Sequence, residues 1–251
     1  MIKMIKRIIP NVCLFLFLAF ILVPFFITIL FFGSKTELFG EMVNIFRFSK
    51  IFHTGIWNSL LYAVFITVGQ FIISVLAAYT FSCFQFKGRE ILFTIILIIM
   101  MMPHQVTVVP NYIILKKLQL INTRGAIILS QIFTPFCVFL LRQNMIHTDK
   151  AILEAATIDG AASFKRLVHI VIPVNKGGIF TLLLLKISEN WSLYEAPVSF
   201  ITDNELQPLN VLITFFYKSL SISDILIVSI LMCIPILILY FIFSNSLVDG
   251  L

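Results

Sequence analysis

Charge is scarce in this chain. Asp, Glu, Lys and Arg make up 12% of its 251 residues and apolar residues 60%, against roughly 25% and 45–50% in a soluble domain. So few charged groups cannot cover a freestanding globule, which excludes a soluble enzyme and points to an integral membrane protein. The net charge of +6 does not bring back nucleic acid as a partner. The basic residues are scattered at the ends of apolar runs, where they orient a chain in a membrane and meet its lipid.

Other absences narrow the reading further. Cys13, Cys83, Cys137 and Cys233 each stand alone in or beside an apolar run, without a CxxC pair or a neighbouring histidine. They read as small buried hydrophobes rather than disulfides or metal thiolates. His53, His104, His147 and His169 lie in unlike segments, so spacing assembles no metal site and no nucleophile. A phosphate-binding loop of the form GxxxxGK[ST] is missing, and any ATP hydrolysis must belong to another chain. No cofactor is expected, and a membrane-embedded enzyme is left as a distant alternative. There is no stretch of soluble-domain length, no low-complexity segment and no obvious internal repeat.

What is present is a series of apolar runs. Residues 8–32, 57–83, 91–109, 125–141, 175–197 and 225–244 are each long enough to cross a bilayer, the fourth being near the lower limit. Lys3, Lys6 and Arg7 precede the first run, which is longer than a secretory core and lacks a small-residue cleavage site. We read it as a span with its amino end inside; six spans then return the carboxyl end to the same side. The expectation is an all-α polytopic fold: a single domain with external loops at 33–55 and 201–223 and a short interfacial helix over 111–124.

Polar groups inside these runs are costly and therefore informative. Pro103, His104 and Gln105 interrupt the third run, and Gln131 and Pro135 the fourth. In the fifth, Lys186 falls near the bilayer centre, with Glu189 one turn on. Lys186, Glu189, Asn190 and Leu193 can share a face. That face either lines a solute path, with His104 and Gln105 as further candidates, or holds an ion pair that fixes helix packing. Trp191 and Tyr194 read as interfacial anchors that could also stack on a sugar ring.

One segment is polar and rich in small residues, the stretch 144–174. Residues 151–159 are Ala-rich, lack Gly and Pro, and stop at Gly160, as a two-turn helix closed by a left-handed residue would. Asp149 can cap it. Ser163 can cap a second helix, in which Phe164, Leu167, Val168, Val171 and Ile172 form one apolar stripe before Pro173.

Glu154-Ala155-Ala156, Asp159-Gly160-Ala161 and Pro173 resemble the EAA loop of the permease subunits of binding-protein-dependent ABC importers. Asn58-Ser59-Leu60, Ala78-Tyr79, Phe86-Lys87-Gly88-Arg89, Met102-Pro103, Pro110 and Asn122-Thr123 are similar to the maltose-type, carbohydrate-uptake branch. Many members carry proline where this chain has Asp149, an aromatic residue where it has Leu167, and Trp-Asn where it has Trp191-Ser192. The resemblance implies a type I importer permease in a bacterial cytoplasmic membrane, with both termini cytoplasmic. Its implied partners are a second permease subunit, two ATP-binding cassette subunits and an extracytoplasmic solute-binding protein. Glu154, Ala155, Ala156, Asp159 and Gly160 would form the helix that docks on the ATPase. The implied solute is a carbohydrate, with a polyamine or phosphorylated polyol as alternatives.

Overall fold

The computed structural model describes residues 14–15, 17–20, 22–23, 50–216 and 222–248, and every regular element among them is helical. By internal contacts the chain divides into Met1–Ser49 with Ser219–Leu231, and Lys50–Lys218 with Met232–Leu251. In the first unit the described residues between 14 and 23 are helical, and Phe15, Phe17 and Phe20 are exposed. The rest of the expected first span and most of the first external loop lie outside the described residues.

The second unit is organised around α1 (Lys50–Cys83), which begins seven residues before the expected second span. Its inward face carries Tyr62, Ala63, Ile66, Thr67, Gln70, Ser74, Val75 and Ala78, all buried, while Phe65, Ile72 and Leu76 face out. Polar side chains therefore point into the protein and large apolar ones outward, as suits a helix whose solvent is hydrocarbon. The end of α1 leads through a turn at Gly88, left-handed at φ 84, into α2 (Arg89–Met100).

Two expected spans are broken, and a third bend marks the start of the fifth. After α2 the chain bends by 103° before α3 (His104–Lys117), so the third run does not cross as one straight rod. Twelve residues rise only about 18 Å. Pro103 causes the break: it has no N–H to continue the ladder and sits extended, at φ −60 and ψ 139. The fourth run divides into α4 (Arg124–Gln131) and α5 (Pro135–Met145), bent by 41°, with Pro135 in the first turn of the new helix. The fifth starts where expected: α7 (Ser163–Val174), from the polar segment, meets α8 (Lys176–Trp191) at 83° across Asn175, and α8 stops short of residue 197. By length and composition there are up to four candidate spans among the described residues, counting each bent pair as one.

Beyond α8 come α9 (Glu195–Phe200), a 3-10 turn at Asn204–Leu206, α10 (Leu209–Phe216) and α11 (Ile222–Val248). The expected external loop after residue 201 is thus mostly ordered structure. Gln207, Leu209, Val211 and Leu212 are buried. Asn58 Nδ2 donates to the carbonyls of Glu205 and Gln207 at 2.8 and 3.1 Å, Tyr62 Oη to that of Leu206 at 2.8 Å, and Ser59 Oγ accepts from Leu209 N at 3.0 Å. Asn122, left-handed at φ 62, accepts at Oδ1 from Thr202 N and Asp203 N, both at 2.9 Å. Side chains at least 80 positions away in sequence, some donating and some accepting, satisfy this backbone, a pairing that periodicity does not reveal. Trp191, expected as an anchor, is instead buried and donates its indole N–H to Met232 O at 3.0 Å, because α8 ends inside the bundle.

One close approach gives a prediction. A Cβ on Gly69 would lie 2.3 Å from Ile132 Cγ1 and 2.4 Å from Cδ1, so α1 admits the break of the fourth span only through a glycine. We expect Gly69→Ala to cost about 1–3 kcal/mol, read as a lower melting temperature in detergent, with recovery in the Gly69→Ala, Ile132→Ala double variant.

Candidate coupling surface and membrane path

The polar segment folds as α6 (Lys150–Ile158) followed by α7. Asp149 caps α6, its Oδ1 accepting from Ala151 N at 2.9 Å. The helix closes with Gly160 N on Thr157 O at 3.1 Å and Ala161 N on Ala156 O at 2.9 Å, with Gly160 at φ 74. These two bonds satisfy carbonyls that the helix end would leave open. Of the implied docking residues, Glu154, Ala155, Asp159 and Gly160 are exposed and Ala156 half-buried; no residue of α6 is fully buried. Ile158 is 86% exposed.

Ser163 does not cap α7 as expected. Ala162 holds the cap position, and Ser163 Oγ accepts from Arg166 at 3.1 Å. Arg166 also donates to Thr157 Oγ1, joining the end of α6 to the first turn of α7. The expected apolar stripe divides as well. Leu167 and Val171 are buried in the core formed with Val75, Tyr79, Leu141, Met145 and Leu182, and Ile172 packs against it, whereas Phe164 is 70% exposed and Val168 is exposed. A π-helical turn over Leu167–Val171 winds the helix more widely at this point, so its periodicity departs from 3.6.

Of the residues that hold this end, only Tyr79 belongs to the motifs that carry the family resemblance. Tyr79 Oη donates to Ser163 O at 3.1 Å. Asn175 Nδ2 donates to Thr148 Oγ1 and to Val171 O, both at 2.8 Å, with Asn175 and Thr148 buried. Arg142, also buried, donates from Nε to Phe81 O at 3.2 Å and from Nη2 to both oxygens of Glu90 at 3.2 and 3.3 Å. Its guanidinium lies 3.8 Å from the centroid of the Phe93 ring. In sequence it is one more cation ending an apolar run. A cavity of about 300 Å³ lies between the end of α1, the end of α5 and α6, with Arg89, Lys150, Glu154 and Arg166 among its lining.

The fifth-span candidates do not all meet. Lys186 is buried, 2.5 Å from Glu189 Oε2, with its ammonium 5.7 Å from the centroid of Phe136; Glu189 itself is exposed. Asn190 is buried and donates to Thr67 Oγ1 at 2.9 Å and Gln70 Oε1 at 3.0 Å, and Gln70 Nε2 donates to Gln131 O at 2.8 Å. Gln131 ends α4, where the break takes away the next helical donor, so the relay ties α8, α1 and the interrupted fourth span together. Lys186, Glu189 and Asn190 thus gather beside that break. Leu193 packs with Tyr62, Ile66, Ile127 and Ile201. Gln105 Nε2 donates to Glu195 Oε1 at 3.2 Å. The His104 backbone opens α3.

Comparison with known proteins gives this arrangement a class. Residues 70–250 match the family described as "Binding-protein-dependent transport system inner membrane component". The chain belongs to that family. It is an inner-membrane permease subunit of an ABC importer, not an enzyme, and it works with a separate ATPase. Among individual proteins it is similar to the arabinooligosaccharides transport system permease protein AraQ of Halalkalibacterium halodurans, 29% identical over 88% of this chain and 80% of that one. It is also similar to the sn-glycerol-3-phosphate transport system permease protein UgpE of Brucella abortus, 27% identical over 78% and 71%. The fold is that of a chain in a bacterial ABC transporter involved in the import of the acidic polysaccharide alginate, with a TM-score of 0.79 and 22% identity over 95% and 96% of the two chains.

Proposed function

We propose that this chain is one of two different permease subunits of a carbohydrate importer, and that α6 is its coupling helix. Taking the bent pairs α2–α3 and α4–α5 as one span each, together with the first run, α1, α8 and α11, gives six spans with both termini cytoplasmic. Two ATP-binding cassette subunits lie beneath them, and an extracytoplasmic solute-binding protein delivers the solute. The observation that carries the reading is α6 itself. A helix of nine residues is marginal in water, yet this one is capped at both ends, tied by Arg166 to α7, packed on the core through Leu153, and presents Glu154, Ala155 and Ile158 to the outside with no residue fully buried.

ATP-driven closure of the ATPase dimer would carry α6 with it as a rigid element and rock the spans to open the cavity outward. Lys186, Glu189 and Asn190, beside the break in the fourth span, are the best-supported part of the path, and Gln105 with Glu195 supports a second polar station. Leu193 and His104 have less support. The likeness to an arabinooligosaccharide permease favours a neutral oligosaccharide. The likeness to a glycerol 3-phosphate permease supports a second reading, a phosphorylated polyol.

The test is ATPase activity of the complex purified in lipid with its binding protein, against arabino-oligosaccharides, lactose and glycerol 3-phosphate. We expect an ATPase to co-purify and an oligosaccharide to stimulate it by about tenfold, with that stimulation lost in Glu154→Lys. Stimulation by glycerol 3-phosphate alone would select the second reading. Absence of any co-purifying ATPase would remove both.

A further inference from the structure

The coupling reading leaves open how motion of α6 reaches the membrane, and the contacts at its base supply a route. Between α5 and α6 the chain turns tightly, with Ile146 N on Arg142 O at 2.9 Å and Thr148 N on Met145 O at 3.1 Å. This brings Thr148 immediately ahead of the capping Asp149. Its hydroxyl oxygen accepts from Asn175 Nδ2 at 2.8 Å, and the two side chains are only 6% and 8% exposed. Asn175 is where α7 stops and α8 starts, at the 83° bend. The same amide also donates to Val171 O, one turn back in its own helix, at 2.8 Å.

Around this pair the two elements are pressed together. A Cβ on Gly178, in the first turn of α8, would fall 2.3 to 2.6 Å from the side-chain atoms of Asn144 near the end of α5. The base of α8 therefore cannot slide along α5, and the hydrogen bond from Asn175 ties the first residues of the α6 unit to that fixed base. A buried amide hydrogen without its acceptor is costly, so the bond resists opening when α6 is pulled.

Resting on the coupling reading, we propose that Thr148 and Asn175 form the link through which α6 drives the fifth span. They are positioning residues that neither touch the ATPase nor line the solute path. Thr148→Val keeps the shape of the side chain and removes the hydroxyl, and with it the acceptor for Asn175. Asn175 retains its bond to Val171 O, so the local turn survives. Arg166 continues to hold the far end of α6, and Tyr79 the first residue of α7.

The experiment uses the full complex in lipid with its binding protein and stimulating solute, comparing Thr148→Val, Asn175→Leu, their double variant and Thr148→Ser. In both single variants we expect co-purified ATPase and basal hydrolysis within about twofold of wild type. Solute stimulation and transport per ATP should both fall by at least about fivefold, the lower end of ordinary coupling between sites. The double variant should be no worse than either single, because one link is being cut, and Thr148→Ser should restore coupling. Full stimulation in Thr148→Val would overturn the proposal. So would a parallel loss of assembly, basal activity and stimulation in both single variants, the outcome of a purely structural contact. If the wild-type complex itself lacks an ATPase, it is the coupling reading that falls, and with it this inference.

Discussion

Gly160→Val is expected to abolish solute-stimulated ATP hydrolysis and transport, by tenfold or more, in a complex that still assembles. Gly160 has φ 74 with nothing within 4 Å of where a Cβ would stand, so the substitution meets no steric obstacle. Its whole cost is conformational: about 1–2 kcal/mol for a side chain in the left-handed region, and more for a β-branched one. The chain can relieve that strain only by opening the two closing bonds of α6, from Gly160 to Thr157 and from Ala161 to Ala156. A two-turn helix without its terminal bonds does not persist. The damage stays in a segment that buries no residue fully, so the core of Leu141, Met145, Leu167 and Val171 is untouched. Gly160→Asn, which tolerates the same backbone conformation, should keep most of the activity. Size-exclusion profiles beside stimulated ATPase rates check both halves of the expectation. Wild-type coupling in Gly160→Val would dismiss α6 as the coupling helix.

The second large effect lies in the membrane. Glu189→Leu leaves the Lys186 ammonium, 5% exposed, without its partner. Only the Lys186 end of the pair is buried, the Glu189 side chain being 66% exposed, so the cost falls below the roughly 3–5 kcal/mol of a fully buried pair, and we expect a lowered amount of assembled complex. Removing both charges in Lys186→Leu, Glu189→Leu should bring assembly back, because no uncompensated charge remains. The two roles separate in that double variant. On the path reading it assembles yet transports at less than about a tenth of the wild-type rate, since the exposed Glu189 carboxylate is no longer there to meet the solute. Full transport by the double variant would make the pair a packing device only. Membrane abundance and uptake in proteoliposomes distinguish the cases.

The helical, membrane-embedded character was legible in composition alone, because 60% apolar and 12% charged residues leave a chain no aqueous fold to adopt. The start and end of α6 were legible too. Asp149 caps and Gly160 closes, each through its own backbone and nearest neighbours. The Lys186–Glu189 contact followed from a spacing of three on one helix. These features are local, and local spacing is what a sequence displays directly.

Where a span breaks was legible in part, and by how much it bends was not. Pro103 and Pro135 marked weak points, but the 41° bend at the second depends on what receives the interrupted backbone: Gln70 for Gln131 O, and glycine at 69 to admit Ile132. The segment after residue 201 read as a loop because its hydrogen-bond partners, Asn58, Tyr62 and Asn122, lie some 80 to 150 positions away in the chain. Arg142, Tyr79 and Asn175 looked like ordinary polar punctuation until the fold set acceptors beside them. The sequence by itself therefore determined the solvent of this protein, the number of its apolar runs and the two ends of α6, all matters of composition and short spacing. Only the tertiary structure decided which buried polar groups meet, because each such group must find a partner among whatever elements the packing brings within about 3 Å.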